Sequence, residues 1–569
     1  MSQRDDSTFF LLERLRPSDW QRTLAWAALI GVAGALATLG FRGFLITAEY
    51  LLYGTTSGLV QSASSLAWWQ RLAAPALGGV LAGAVLLVAR RTTPHTPHGD
   101  YMEAVVLGRG ELSAGSSLLR ALSSACSVAS GGAIGREGPM VQLAALTGSL
   151  FADWRQLPVP RRRLLVACGA AAGLTTAYGT PIAGALFIAE IVLQSLATET
   201  LAPLLITSVA AHLTVVTLVG ASPLYRMPEI PLPGGPTFLL GGVLGLLAGV
   251  GAPLYLGLLD RAKAGFAAWN ASLPLKLATG GLVVGALSIQ APQVWGNGFS
   301  VVNSVLQGDW LWQALLLVLV LKIAAVAATT GSGAVGGIFT PTLFVGAVSG
   351  ALFASVVNLA FPGALPVPLG VAIGMGAFLS ATTHAPLTSV LMIFEMTENY
   401  RVVAPLMLAA VFAYSVSRLL RADSIYASSQ KARAAADPRL AVARDLLRTD
   451  SPTVQEGDSI ALVEARLLES RWRHIYVVDA GGRFRGAIAM HDMATLLKEP
   501  HDPQAPWPAG LLKADYPRLA PDMPLWDLLA VFDAHPGERL PVLDEAGRLL
   551  GHVTKTDLLL ILRDRLAVA

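Results

Sequence analysis

GGAIGREGPMVQ, residues 131–142, is the stretch from which the rest of the chain is read. It sets four glycines, an arginine and a glutamate between the apolar segments LLRALSSACSVAS and LAALTGSLFA. An ionisable group among such neighbours is costly unless it serves a pathway, so Arg136 and Glu137 read as functional. Gly131, Gly132, Gly135 and Gly138 remove side chains and let backbone approach a bound group, and Pro139 suits the first turn of a following helix. A helix start offers free N–H groups and a positive dipole end, which together bind anions.

A second copy turns this from a glycine-rich turn into an architecture. GAVGGIFTP, Gly333–Pro341, again places glycines before a proline that opens an apolar run, TLFVGAVSGALFA, and Pro139 and Pro341 lie 202 residues apart. TPIAGALFIAEI (Thr180–Ile191) and APLTSVLMIFEM (Ala385–Met396) form another pair, matching Pro181 with Pro386 and Glu190 with Glu395 at a spacing of 205. Paired, Gly/Pro-interrupted apolar segments at matching positions point to a transporter whose site lies between two repeats near the bilayer midplane.

Composition agrees. Only 14% of the 569 residues are charged and 53% are apolar, with a mean hydropathy of +0.56, far from a soluble average of about 25% charged. The chain reads as a multi-pass protein of the cell membrane with both termini cytoplasmic. A net charge of +3 gives no argument for nucleic acid as a partner. Cys126 and Cys168 sit in apolar stretches and read as small buried hydrophobes. The start is too charged for a signal peptide, and residues 1–21 read as a cytoplasmic lead-in. Apolar runs follow at Thr23–Leu39 and Leu72–Ala89, near the length needed to span about 30 Å of hydrocarbon. Arg90, Arg91 and Arg161 to Arg163 favour cytoplasmic loops. A Pro/Gly-rich linker, residues 221–236, separates halves at about 22–220 and 237–430, and Lys322 stands at membrane depth in the second.

GREGP (135–139) and GGIFTP (336–341) resemble two signature motifs of the CLC family of chloride channels and chloride/proton exchangers, and Tyr426 in SIYASSQ resembles a third. The resemblance covers roughly residues 20–435. It implies an all-α polytopic membrane domain of two inverted repeats, assembled as a homodimer with a pore in each subunit. It further implies Glu137 as a gate and an anion site built from Gly135, Arg136, Gly138, the N–H groups of Ile338 and Phe339, and the Tyr426 hydroxyl. Phe339 takes the place of Glu137 in the second half. Arg120 would raise the positive potential of the pore; its other reading is an arginine snorkelling at a helix end.

Two positions depart from the family pattern. Residues 94–104, PHTPHGDYMEA, stand where the family carries a G-S-G-I-P-like motif; Gly99 survives and His98 or a neighbour replaces the serine. His98 and Gly99 then form either a different inner gate or part of a polar surface loop, and the anion is left open between chloride and another, fluoride included. Family exchangers commonly carry a second glutamate after the one in FIAEI, and here it is Ile191. Passive channel-like conduction is therefore expected ahead of proton-coupled exchange, although water, Glu190 or the loop at 98–103 offer other relays. No cofactor is required on this reading, no metal site is expected and chloride is the substrate.

After Ser428 the composition changes, and from about 440 charge is present throughout and two similar units follow, 440–499 and 510–569. Each reads as strand, helix, strand, D-x-x-G turn, strand, helix and resembles a CBS domain. The family's G-x-x-T-x-x-D segment contacts nucleotide ribose and phosphate. Gly551, Thr554 and Asp557 match it, whereas the first unit has Gly486 and Asp492 but Ala489 in place of the hydroxyl. This cytoplasmic α/β pair is expected to bind ATP, ADP or AMP in one site, or else to act as a dimerisation module without ligand. A membrane-anchored nucleotide sensor or enzyme is the competing class. An anchor needs one or two spans and not a repeated half, and Glu137 has no nucleophile–base pair beside it, so transport without enzymatic activity is the expectation.

Overall fold

The computed structural model describes residues 19–92, 100–106, 108–220, 222–308, 310–426, 442–470, 473–498, 500–535 and 537–559. His98 and Gly99 lie outside them. The chain divides into two compact units, Met1–Ser429 and Gln430–Ala569.

In the first unit the apolar runs become helices α1 (Asp19–Tyr53), α2 (Leu59–Ser65), α3 (Trp68–Thr92), α4 (Tyr101–Val106), α5 (Ala114–Ala129), α6 (Glu137–Trp154), α7 (Val159–Tyr178), α8 (Pro181–Phe187) and α9 (Thr198–Val219). The second half gives α10 (Gly235–Ala268), α11 (Leu273–Gln290), α12 (Phe299–Gln307), α13 (Trp312–Gly331), α14 (Phe339–Ala360), α15 (Val367–Thr383), α16 (Pro386–Thr397) and α17 (Val403–Leu420). Setting α2 aside, each helix of one half has a counterpart in the other. Packing repeats too: α6 on α7 and α14 on α15, α1 on α9 and α10 on α17, α3 on α5 and α11 on α13. Eight helices among the described residues are long and apolar enough to cross a membrane.

Helix α1 is longer than the run Thr23–Leu39 suggests, continuing through Gly40 and Gly43 to 35 residues. Glycine weakens a helix chiefly where water competes for its backbone. In hydrocarbon that competitor is missing and the helix continues. Exposed Leu29, Leu36, Leu81, Leu239 and Leu254 on the long helices supply a lipid-facing surface.

The halves meet where α3 crosses α11. A Cβ on Gly79 would lie 2.3 Å from the Leu277 carbonyl oxygen, and one on Gly281 would lie 2.0 Å from that of Pro75. Gly79 and Gly281, and Pro75 and Leu277, are each 202 residues apart. Each glycine thus admits the partner of the other, as a two-fold relation between halves requires, and small residues are what let membrane helices approach this closely.

The second unit contains a three-stranded sheet of β1 (Thr453–Gln455), β2 (His474–Val478) and β3 (Phe484–Ala489), with β1 parallel and β3 antiparallel to β2. Helices α18 (Ile460–Ser470) and α19 (Met490–Leu496) belong to the same repeat. Its second repeat has α20 (Leu525–Ala534) and the hairpin β4 (Arg539–Leu543) and β5 (Leu549–Thr554). The D-x-x-G turns form in both: Asp479 Oδ1 accepts from the Arg483 amide at 2.9 Å and Asp544 Oδ1 from the Arg548 amide at 2.7 Å. The first strand expected of the second repeat is reduced to one parallel bridge, Leu519 to Val542. Pro517 and Pro521 flank it, and proline has no N–H to extend a ladder.

Candidate functional site: two helix starts facing one carboxylate

Helices α6 and α14 begin at the two positions matched in the sequence, Glu137 and Phe339. Just before them the chains pair as a two-residue antiparallel bridge. The Gly135 amide donates to the Gly337 carbonyl at 2.8 Å and the Gly337 amide to the Gly135 carbonyl at 2.9 Å. The Gly135 N–H is thus taken up by the bridge and is no donor to the site. What Gly135 offers is room. A Cβ on Gly135 would lie 2.1 Å from both Glu137 carboxylate oxygens, and one on Gly337 would lie 2.4 Å from Oε1. Gly138 faces the Gly336–Gly337 peptide, where a Cβ would sit at 3.2 Å.

The Glu137 side chain is buried and reaches into the first turn of the opposite half's helix, where Oε1 accepts from the Thr340 amide at 3.0 Å. The amides of Ile338 and Phe339 precede it in that turn, with no intrahelical acceptor of their own. The carboxylate therefore stands where an anion attracted to the α14 dipole would stand. Tyr178, at the end of α7, shares a 2.9 Å hydrogen bond with the Thr340 hydroxyl. An aromatic series continues from Tyr178 to Phe339 (5.1 Å between ring centroids), Phe339 to Phe187 (5.8 Å) and Phe187 to Tyr426 (5.7 Å). So Tyr426 joins the site through Phe187, while Arg136, Glu137, Tyr178 and Thr340 line a cavity with Tyr225.

Arg120 lies in α5, partly buried and within electrostatic reach of Asp100. Lys322 occupies the same place in α13, 202 residues on. It is wholly buried, donates to the carbonyls of Val294 at 2.8 Å and Gly296 at 2.6 Å, and lies 5.4 Å from the Phe344 ring centre. Each half thus places a basic residue in the helix preceding its glycine motif.

The second sequence pair acts as a mutual brace. Glu395 accepts from the Ile182 and Ala183 amides at 2.9 and 2.7 Å, capping α8. Glu190 Oε2 accepts from the Thr388 amide at 2.9 Å and from its hydroxyl, capping α16. Each half's glutamate satisfies the exposed N–H groups of the other's helix. Glu190 sits in a π-helical turn, Ile188–Leu193, beside buried Ile191.

In the tail, Asp557 accepts from Arg448 through both oxygens, at 2.9 and 2.7 Å, and from the Thr554 hydroxyl at 2.6 Å. Burial pushes its carboxyl upward, but the guanidinium and the Thr554 hydroxyl more than offset this and hold it below the usual carboxylate range. Asp492 pairs with Lys513 at 2.8 Å, and that ammonium holds its carboxyl low as well. Arg448 and Lys513 are 65 residues apart, as are Asp492 and Asp557, so the matching aspartates of the two repeats are clamped by one repeated device.

Thr340, Tyr178 and Tyr225 belong to the site without standing out in the sequence. The signal for Thr340 is its place one residue after Phe339 in a helix's first turn, and for Tyr178 its place before the Gly-Thr-Pro break. Tyr225 lies in an aperiodic linker and offers no such signal.

Comparison with known proteins places this geometry. The sequence model described as "Voltage gated chloride channel" matches residues 78–418, and that of the CBS domain matches 443–499 and 511–564. A putative chloride channel protein ClcB-like from Ralstonia nicotianae is 53% identical over 409 residues, 71% of this chain and 95% of the relative. A voltage-gated ClC-type chloride channel ClcB from Citrobacter koseri is 44% identical, covering 71% and 98%. Among solved structures, a slow cyanobacterial Cl-/H+ antiporter superposes with a TM-score of 0.65 at 26% identity, covering 73% of this chain and 98% of its own. A eukaryotic CLC transporter shares the fold at a TM-score of 0.64 and 18% identity over 97% of this chain and 99% of its own. With its paired glycine motifs, reciprocal helix caps and tandem CBS domains, the chain belongs to the voltage gated chloride channel family.

Proposed function

We propose that this protein conducts chloride passively across the cell membrane as a homodimer, each subunit holding one pathway gated by Glu137, with both termini in the cytoplasm. The observation that carries the gate is the Glu137 carboxylate on the Thr340 amide, in the position an anion would take. Protonation removes its charge and its claim on the helix start, so flux rises as pH falls. The anion is held by neutral donors, the Ile338 and Phe339 amides and the Tyr426 hydroxyl, which suits release as well as binding. Passive conduction is favoured by Ile191, which has no proton to relay, and by Glu190, whose Oε2 is engaged by Thr388. Coupled exchange is the second reading, favoured by the likeness to the Cl-/H+ antiporter. The two readings separate on the reversal potential of purified protein in liposomes under opposed chloride and pH gradients. Conduction gives the chloride equilibrium value at every pH gradient; chloride-driven uphill proton movement establishes exchange.

The CBS pair is proposed to bind an adenine nucleotide with Asp557 on the ribose, and binding then requires Arg448 to yield. An ion pair with a half-exposed guanidinium is worth about 1 kcal/mol. Arg448→Ala is accordingly expected to tighten AMP, ADP or ATP binding to the full-length protein by up to about fivefold in calorimetry. Weaker binding would place Arg448 on the phosphates, and absence of binding to both proteins at millimolar nucleotide leaves the pair a purely structural module.

A further inference from the structure

We infer that Tyr225 is the docking partner of the Glu137 carboxyl group when it leaves the α14 helix start, and so sets how readily the pathway opens. The inference rests on the gate reading of Glu137. Two buried polar atoms carry it. Glu137 Oε2 and the Tyr225 hydroxyl each lack a hydrogen-bond partner among the described residues. Both residues line the same cavity, together with Arg136, Asn297 and Thr340. A buried carboxylate oxygen and a buried phenol left unpaired each lose the solvation they would have in water, and the cavity both line is the path on which either can be satisfied.

Tyr225 is held as a fixed receiver. It is fully buried although it lies in the linker between the halves. Its amide donates to the Met396 carbonyl at 3.0 Å, at the end of α16. Asn303 of α12 grips the linker on both sides, accepting from the Arg226 amide at 3.1 Å and donating to the Leu224 carbonyl at 3.3 Å. The ring packs on Phe299 at 5.5 Å. With backbone and ring fixed, the O–H is a preplaced donor. It can bond to a carboxylate or to the carbonyl oxygen of a protonated carboxyl, so it serves Glu137 in either state once the side chain rotates away from Thr340. Tyr178 is less suited to this part, because its hydroxyl already shares a hydrogen bond with Thr340, whereas that of Tyr225 has no partner among the described residues.

The test is chloride flux into liposomes for Tyr225→Phe, Glu137→Ala and the double variant. Phenylalanine keeps the ring and removes the donor. The expected result is about a fivefold loss of flux in Tyr225→Phe, with its rise on acidification displaced to lower pH, and no effect of the same change in the Glu137→Ala background, where nothing remains to dock. Equal losses in both backgrounds, or wild-type flux unchanged or raised by Tyr225→Phe, would overturn the assignment and leave the gate intact. A Glu137→Ala protein that keeps the wild-type pH profile would overturn the gate reading, and the docking role with it.

Discussion

Glu137→Gln is expected to conduct chloride at neutral and alkaline pH about tenfold faster than the wild type, and to do so with a flat pH profile. The carboxylate is held by the α14 helix start through a charge-assisted hydrogen bond from Thr340 and by the helix dipole. Glutamine keeps the shape but not the charge. Hydrogen bonds to charged groups contribute about 1.5–3 kcal/mol against 0.5–1.5 kcal/mol for neutral ones, and a difference near 1.4 kcal/mol is the factor of ten. Wild-type flux rises on acidification because protonation does chemically what the substitution does permanently. Flux measurements from about pH 4 to about pH 8 decide it. A Glu137→Gln protein that retains the wild-type slope would remove Glu137 from the gate.

Gly135→Ala is expected to open the pathway without touching the charge. The new Cβ would stand 2.1 Å from both carboxylate oxygens, far inside any real contact, so either the backbone or the carboxylate must move. The backbone is fixed by the two-way bridge between Gly135 and Gly337 and by the helix that starts two residues later. The carboxylate is the free end of a side chain, held at that helix start by hydrogen bonding to Thr340. Overpacking of this kind costs about 1–3 kcal/mol, comparable with the bond to Thr340, and the carboxylate yields. The expected outcome is raised flux at alkaline pH in a folded protein, with little further gain in the Gly135→Ala, Glu137→Gln double variant. Wild-type flux and pH dependence in Gly135→Ala would mean that the cradle has room for both groups, contrary to the geometry.

The repeat was legible in the chain because backbone in a membrane allows few solutions. A polar group at that depth must be satisfied within the protein, so glycines that permit close approach, prolines that start helices and carboxylates that cap them recur at fixed spacing. That pattern marked Gly135 to Pro139, Gly336 to Pro341 and the Glu190/Glu395 pair, and with them the fold. Ile191 was equally legible, since the absence of a titratable group needs no coordinates.

Partnership was not legible. Spacing matches Glu190 with Glu395, but that each caps the helix of the other half depends on how two distant segments meet. The same holds for Gly135, which reads in sequence as backbone left bare for a bound group and in the fold has its amide bonded to Gly337. Arg448 and Lys513 read as ordinary surface cations until the tail folds them onto Asp557 and Asp492. Tyr225 is the extreme case: an aperiodic linker residue made part of the gate's surroundings by contacts with Met396, Asn303 and Phe299, all more than 70 residues away. The sequence by itself determined which groups must be satisfied, because burial of polar atoms in an apolar chain admits no other outcome. Which partner satisfies each was decided only by the tertiary structure, because a hydrogen bond depends on a distance of about 3 Å that no local pattern encodes.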